Sequence, residues 1–481
     1  MPWWEPVIGL EIHAQLRTRS KLFCGCAARH GAPPNSLTCP VCLGFPGALP
    51  VLNAGAVELA LKAALALDCT IHPVSVFVRK NYFYPDLPKG YQITQLDQPL
   101  ATGGSLEWTA SGRAERVRLL RIHLEEDAGR SMHDRDGGPE GATTLDFNRS
   151  GVPLLEIVTE PEIHSAETAA AFFRRLRTLL VAIGVNDGNM EEGSLRCDAN
   201  VSVREAGTPA LGTRTEVKNL NSFRFLQSAL EYEIERQVRI LEEGRSVAPE
   251  TRRWDVDSGA TVTIRAKEEA EDYRYFPEPD LPPLVVTPER TAAVRATLPE
   301  LPETRKARYR REFELLEADA AFLAGSTALS SYFEQVVALT GNPRLAANWI
   351  LRDLAGKLRE TGGTMEQAPV APEALADLIR MVEGGAINRP TAKAVFEEMC
   401  ASGKVASSVV ASRGLGQISD ESTLEAAVRE VVAEHADAAA DYRAGRQKAF
   451  GFLVGQVMKA TGGRGNPRMV NELLKRALDC D

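Results

Sequence analysis

No stretch of this 481-residue chain approaches the ~20 consecutive apolar residues that a membrane-spanning helix needs, so no crossing of a bilayer is expected. Nor does the start, Met1-Pro2-Trp3-Trp4-Glu5, carry the basic residues, apolar stretch and cleavage site of a secretory signal, and the expected location is the cytoplasm. Two phosphate-binding signatures are missing: there is no GxxxxGK(S/T), and no GxGxxG follows a strand. Any nucleotide site is therefore of neither the P-loop nor the kinase kind. Internal repeats and low-complexity tracts are absent. A net charge of −9 excludes a surface coated in basic charge, so a nucleic acid would be held by local patches.

What is present is a globular composition, 44% hydrophobic and 25% charged, with length for roughly three domains of about 150 residues. The pattern reads as α+β up to about Thr287 and as all-α beyond. Helical spacing of Phe172, Phe173, Leu176, Leu179, Leu180 and Ile183, with Ser165 as N-cap and Gly184 as stop, predicts a helix over 166–183. A second runs from about Ser222 to Glu243, its apolar stripe formed by Phe225, Leu226, Ala229, Leu230, Ile234, Val238 and Leu241. The proline-rich segment 276–288 suits a connector, and a break falls near 403–408. The expected division is an antiparallel-sheet cradle at 1–288, a helical domain at 289–405 and a small α-helical tail domain at 406–481.

The sheet strands carry a polar face. In VIGLEIHAQL, from Val7 to Leu16, Ile8, Leu10, Ile12 and Ala14 alternate with Glu11, His13 and Gln15. From Ser194 to Arg204, Leu195, Cys197, Ala199, Val201 and Val203 oppose Ser194, Arg196, Asp198, Asn200 and Ser202. Arg121, His123 and Glu125 share a face, as do Glu156 and Glu160, and Arg214, Glu216 and Lys218 make a further set. Any one such face is explained by solvent exposure. Five that all carry carboxylates also suit a magnesium site, because the ion takes carboxylate oxygens together with substrate phosphates. The loop KNYFYPDLPKGY, from Lys80 to Tyr91, reads either as a proline-turned hairpin with packed tyrosines or as a surface that sandwiches a base.

Cys24 and Cys26 are followed by Cys39 and Cys42 after twelve residues (27 to 38), a zinc-knuckle spacing. A four-sulfur site has no open position and is structural, which argues against a hydrolytic or deaminating zinc centre. Cys69, Cys197, Cys400 and Cys480 are scattered. At the other end, Arg443 to Arg476 holds eight Lys or Arg residues, among them Lys448, Lys459, Arg464 and Arg468, against the single acid Glu472. This reads as a solvated helical face or as an RNA contact.

The strings VIGLEIHAQL, KNYFYPDLPKGYQI, HLEEDAGR, LDFNRSGVPLLEIVTEP, EEGSLRCDANVSVR, EVKNLNSF and DYRYFPEPDLPP, with GFLVGQVMKATGGRGNP near the C-terminus, resemble the B-subunit family of the tRNA-dependent amidotransferases. The resemblance implies a cradle like glutamine synthetase in fold, which uses ATP and magnesium to phosphorylate the side-chain carboxyl of Glu-tRNA(Gln) or Asp-tRNA(Asn) before amidation. It assigns Glu11, His13, Glu125, Glu156 and Asp198 to metal and phosphate handling, with Lys80, Ser194 and Asn200 as neighbours. Periodicity alone does not choose Glu125 over Glu126. The resemblance also implies tRNA binding by the helical domains, an amidase A subunit as ammonia source and a small C subunit. No Ser-Ser-Lys amidase arrangement or nucleophile-elbow Cys occurs here, in keeping with ammonia from a partner. Some members of that family lack the four cysteines, so zinc is not part of the shared chemistry.

Overall fold

The computed structural model describes residues 3–110, 112–133, 143–266, 273–416, 418 and 420–479. It divides into two compact units, 1–303 and 304–481. The first is built on a ten-stranded sheet. Along it the strands run Ala260–Ala266, Glu250–Asp255, Thr215–Lys218, Leu195–Glu205, Trp4–Gln15, Pro153–Thr159, Arg113–Glu126, Ala101–Thr102 and Thr70–Ile71, while Ser105–Ala110 pairs with Arg113–Glu126 off this path. All ladders are antiparallel except one. Thr215–Lys218 runs parallel to Glu250–Asp255, so the sheet is mixed and not antiparallel throughout as the sequence suggested. The reason is the helix Phe223–Glu242 between them, because a parallel return needs a crossover of a dozen or more residues.

Two helices, Ala166–Ala182 and Phe223–Glu242, cover the apolar face of this sheet. Ser165 and Ser222 accept from the amides of Thr168 and Phe225, the two caps the sequence predicts. Phe172, Phe173, Leu176 and Leu180 meet Ile8, Leu10, Ile12, Leu195 and Val201 in one buried core. That burial leaves the opposite face, with its carboxylates, facing a cleft. The second helix departs from the expected stripe. Glu233 and Gln237 are fully buried, whereas Ile234 and Val238 are only partly covered. Glu233 takes hydrogen bonds from Arg236 (2.7 and 3.0 Å) and Thr261 (2.9 Å), and Gln237 donates to Val201 O and Thr215 Oγ1. Here the helix lies over a polar sheet edge that contains Arg252, 3.5 Å from Glu233, so a buried carboxylate is paired there.

The first unit continues past the proline-rich segment: Val294 of the helix Pro288–Arg295 enters its core, with Leu298 and Leu301 against it. The remaining chain is helical and has two separate cores. One gathers Tyr309, Phe333, Trp349, Leu378 and Phe396, and extends to Ala406 and Val409. The other gathers Leu424, Val428, Leu453, Val457, Val470 and Leu474.

Candidate active site

Strand register assembles the site. Glu11 pairs with Asp198 across one ladder, and His13 with Arg196 on that side and Glu156 on the other. Glu156 pairs in turn with His123, and Glu125 with Leu154. Directly opposed residues share a sheet face, so side chains far apart in sequence project into one cleft of about 570 Å³. Lys80, Tyr82, Tyr273, Arg196, Glu216 and Lys218 complete much of its lining.

Charge is concentrated at its centre. His13 Nε2 lies 3.4 Å from Glu156 Oε2 and 3.7 Å from Glu125 Oε1. His123 Nε2 lies 3.4 Å from the same Glu156 oxygen and 3.7 Å from Glu125 Oε2. Burial opposes a charged imidazole, yet the hydrogen bond to Glu156 and the surrounding carboxylates raise His13 to about 9. His123 is raised to about 9 in the same way, against its burial, chiefly by the Glu156 charge. Glu156 is also buried, but the two imidazoles hold it well below the usual carboxylate range. Glu11 is pushed up by burial and then by the charge of Glu156, even though Asn200 Nδ2 donates to it at 2.9 Å. Donor atoms of His13, Glu125 and Glu156 lie within 4.8 Å of one another, a spacing that can hold a metal ion.

The neighbouring glutamates separate cleanly. Glu125 faces the cleft and accepts from Thr94 Oγ1 at 3.2 Å, whereas Glu126 points away, ion-paired with Lys89 and bonded by Ile93 N at 2.9 Å. Glu160 does not join Glu156. A bulge between Val158 and Thr159 breaks the alternation, and the strand ends at Thr159. Ser194 is also elsewhere: it donates to Asp187 and to Asn189 O (2.8 Å) and lines an adjoining cleft of about 870 Å³.

The four knuckle sulfurs converge within 4.8 Å of one another. Cys39 Sγ and Cys42 Sγ are 3.9 Å apart, close to the ~3.8 Å edge of a tetrahedron with ~2.3 Å metal–sulfur bonds. The Cys39 amide donates to Cys42 Sγ at 3.2 Å. Fully buried Lys21 reaches the same sulfur at 3.5 Å, and also Leu37 O at 2.8 Å. A hydrogen bond from Cys24 holds the Cys42 thiol below its usual range, with the Cys39 amide and Lys21 adding to it.

The profile of the GatB/GatE catalytic domain matches residues 6–292, and that of the GatB domain matches residues 331–478. The chain belongs to the GatB family. It is 51% identical over 475 residues to the B subunit of the aspartyl/glutamyl-tRNA(Asn/Gln) amidotransferase of Thermodesulfovibrio yellowstonii, covering 99% of both chains. The corresponding B subunit of Anaeromyxobacter sp. (strain K) is 52% identical over 479 residues, again with 99% of both chains covered.

Within this GatB-family cleft are residues that sequence reading did not select. His123, Arg196 and Lys218 stand on polar faces already visible in the alternation. Lys218 Nζ bridges Asp198 (3.2 Å) and Glu216 (3.0 Å), and these charges raise it above its ordinary value despite burial. Asp127 lies beyond a strand end and gave no periodic signal. It accepts from Gln15 (2.8 Å) and Arg196 (3.0 Å), with Arg149 at 3.7 Å. Burial works against the ionised Asp127 carboxylate, but the two guanidiniums lower its pKa below the usual value. A depressed folded pKa gives stability that is present above the unfolded value of ~3.9 and lost as pH falls through the folded value. Asp127→Asn is therefore expected to cost about 3 kcal/mol at pH 7. Urea unfolding over a pH series should show the difference from wild type closing below about pH 3.

In the tail, Lys448 and Lys459 are exposed and form no ion pair among the described residues. Arg464 donates to Gly414 O at 2.8 Å and Arg468 pairs with Glu472 at 3.1 Å. Arg446 pairs with Asp441 and Arg476 with Glu421, at 2.9 and 3.1 Å. The basic run is thus partly neutralised by acids from outside its own window.

Proposed function

We propose that this chain is the B subunit of a tRNA-dependent amidotransferase, the ligase component that activates the side-chain carboxylate of Glu-tRNA(Gln), Asp-tRNA(Asn) or both. The observation that carries this reading is the cluster of Glu11, His13, Glu125, Glu156 and Asp198, drawn from four strands into one cleft with cations on its walls. Carboxylate oxygens beside an imidazole fit a hard cation that also binds phosphate, so these five would hold magnesium. When bound, the ion would withdraw charge from the phosphates of ATP.

In the activation step an oxygen of the substrate carboxylate attacks the γ-phosphorus, the β–γ bridging P–O bond breaks, and ADP leaves. Lys80, Lys218 and Arg196 offset charge spreading over the transferred oxygens. Ammonia then attacks the acyl carbon, the C–O bond to phosphate breaks, and inorganic phosphate departs with the amide formed. Ammonia comes from the glutaminase activity of the amidase A subunit, with the small C subunit completing a heterotrimer. The four cysteines hold structural zinc. No described helix is long and apolar enough to cross a membrane, and we place the protein with translation in the cytoplasm.

Hydroxylamine trapping tests the activation step. The assembled complex with Glu-tRNA(Gln) or Asp-tRNA(Asn), ATP and magnesium, but no glutamine, should form the side-chain hydroxamate. No hydroxamate from either tRNA would leave this chain as a tRNA holder. For the tail, neutralising Lys448 and Lys459 should weaken tRNA affinity and flatten the plot of log affinity against log salt by roughly one unit for each phosphate no longer neutralised. Adding Arg468→Ala should do less, because its guanidinium is shared with Glu472. Filter binding across a salt series measures this, and an unchanged slope moves the RNA-binding surface elsewhere. Arg464→Ala is better read as a stability variant, given its bond to Gly414.

A further inference from the structure

One wall of the carboxylate cleft is aromatic. Tyr82 and Tyr273 both line it, their ring centroids 6.1 Å apart and their planes at 75°. Tyr84 and Tyr275 continue the row, at 6.2 and 6.0 Å from Tyr82 and Tyr273. Lys80 Nζ stands 4.7 Å from the Tyr273 centroid and 5.7 Å from that of Tyr82. Lys218 and Arg196 in the same cleft each pair with a carboxylate. Lys80 pairs with none among the described residues, although it shares the cleft with Glu11, Glu125, Glu156 and Asp198.

The fold fixes this wall from two distant segments. Phe276–Pro277 pairs antiparallel with Phe77–Asn81, which sets Tyr273 beside Tyr82. Asn81 clamps the corner, its amide donating to Tyr273 O at 3.0 Å and its Nδ2 to Arg274 O at 2.8 Å. The clamp offsets an uncommon backbone at Arg274, whose φ of 42° few residues with a Cβ adopt. Behind it Arg79 is held by Glu278 at 2.8 and 2.9 Å.

A fixed aromatic corner, an unpaired cation and a cluster suited to metal and phosphate, all in one cleft of nucleotide size, are the parts a purine nucleoside triphosphate requires. We infer that Tyr82 and Tyr273 seat the adenine ring of ATP, with Lys80 facing its ribose-phosphate end. The inference rests on the carboxylate-activating reading above and adds the base-binding residues.

The test is steady-state kinetics of the assembled complex with charged tRNA. Tyr273→Ala and Tyr82→Ala should each raise the KM for ATP about tenfold or more, the effect of losing a stacked base. The KM for charged tRNA should stay within about threefold, and Tyr273→Phe, which keeps the ring, should recover most of the ATP affinity. Inorganic tripolyphosphate, which has no base, serves as a competitor. Its inhibition constant should be the same in wild type and both alanine variants. An unchanged KM for ATP in both variants overturns the inference, as does an equal loss of tripolyphosphate binding. A rise confined to charged tRNA gives the wall to the terminal nucleoside of the tRNA and overturns it too. Wild-type complex that cleaves no ATP in response to charged tRNA defeats the underlying reading, before any variant is compared.

Discussion

Glu125→Gln is expected to reduce acyl-phosphate formation by at least about 100-fold while tRNA affinity stays within about twofold. The two Glu125 oxygens stand 3.7 Å from His13 and His123, one each, and the residue lies against a sheet that holds both imidazoles in place. An amide has nearly the same shape but no charge, so the phosphate-side cation loses a ligand while the fold keeps its packing. Glu126→Gln is the informative contrast. Glu126 is buried, ion-paired with Lys89 and turned away from the cleft, so its loss strands a buried ammonium and should appear first in stability. Hydroxamate yield and a thermal melt, measured on both variants, distinguish the two glutamates. Equal activity of Glu125→Gln and wild type would remove Glu125 from the site.

Cys39→Ser should release the knuckle metal and lower the melting temperature of the chain by at least about 5 °C. Four sulfurs converge there without a disulfide, on a loop with little core of its own, and metal binding to such a site is folding energy. The consequence extends past the loop. A Cβ on Gly44 would lie 3.0 Å from Lys89 Cα, and one on Gly151 would lie 3.4 Å from Cys42 Cβ. The knuckle therefore packs against the Lys89–Glu126 pair, one residue from Glu125. Loss of metal should loosen that pair as well as the loop. Cys400→Ser, a half-buried thiol outside the cluster, is the control expected to leave metal content unchanged. Metal analysis with X-ray absorption checks the coordination. Anything other than full four-sulfur ligation would contradict a closed structural site.

Period-two alternation made the carboxylate face legible, because a strand buried on one side puts its polar residues together on the other. It could not order Glu125 against Glu126, since both end the same strand and both are buried. Only pairing register and the Lys89 ion pair separate them. Glu160 was misjudged because a bulge is invisible to alternation. Glu233 and Gln237 interrupt an apolar stripe for a reason that lies in another element, the guanidinium of Arg252. Ser194 shares a face with Asp198 in sequence, yet its hydroxyl is taken by Asp187 and Asn189. Tyr273 escaped notice for the simplest reason: the wall it shares with Tyr82 exists only once the two segments pair.

The most direct test is ATP cleavage by the assembled three-subunit complex with magnesium and Glu-tRNA(Gln) or Asp-tRNA(Asn), comparing wild type with Asp198→Asn. Asp198 pairs with Glu11 in register and holds Lys218 at 3.2 Å, so losing its charge disturbs both the proposed metal ligands and the nearest cation. We expect cleavage that depends on charged tRNA in wild type and is lost in the variant. Equal cleavage by both would contradict a phosphoryl-transfer site on this sheet and send the search for it to the partner subunits.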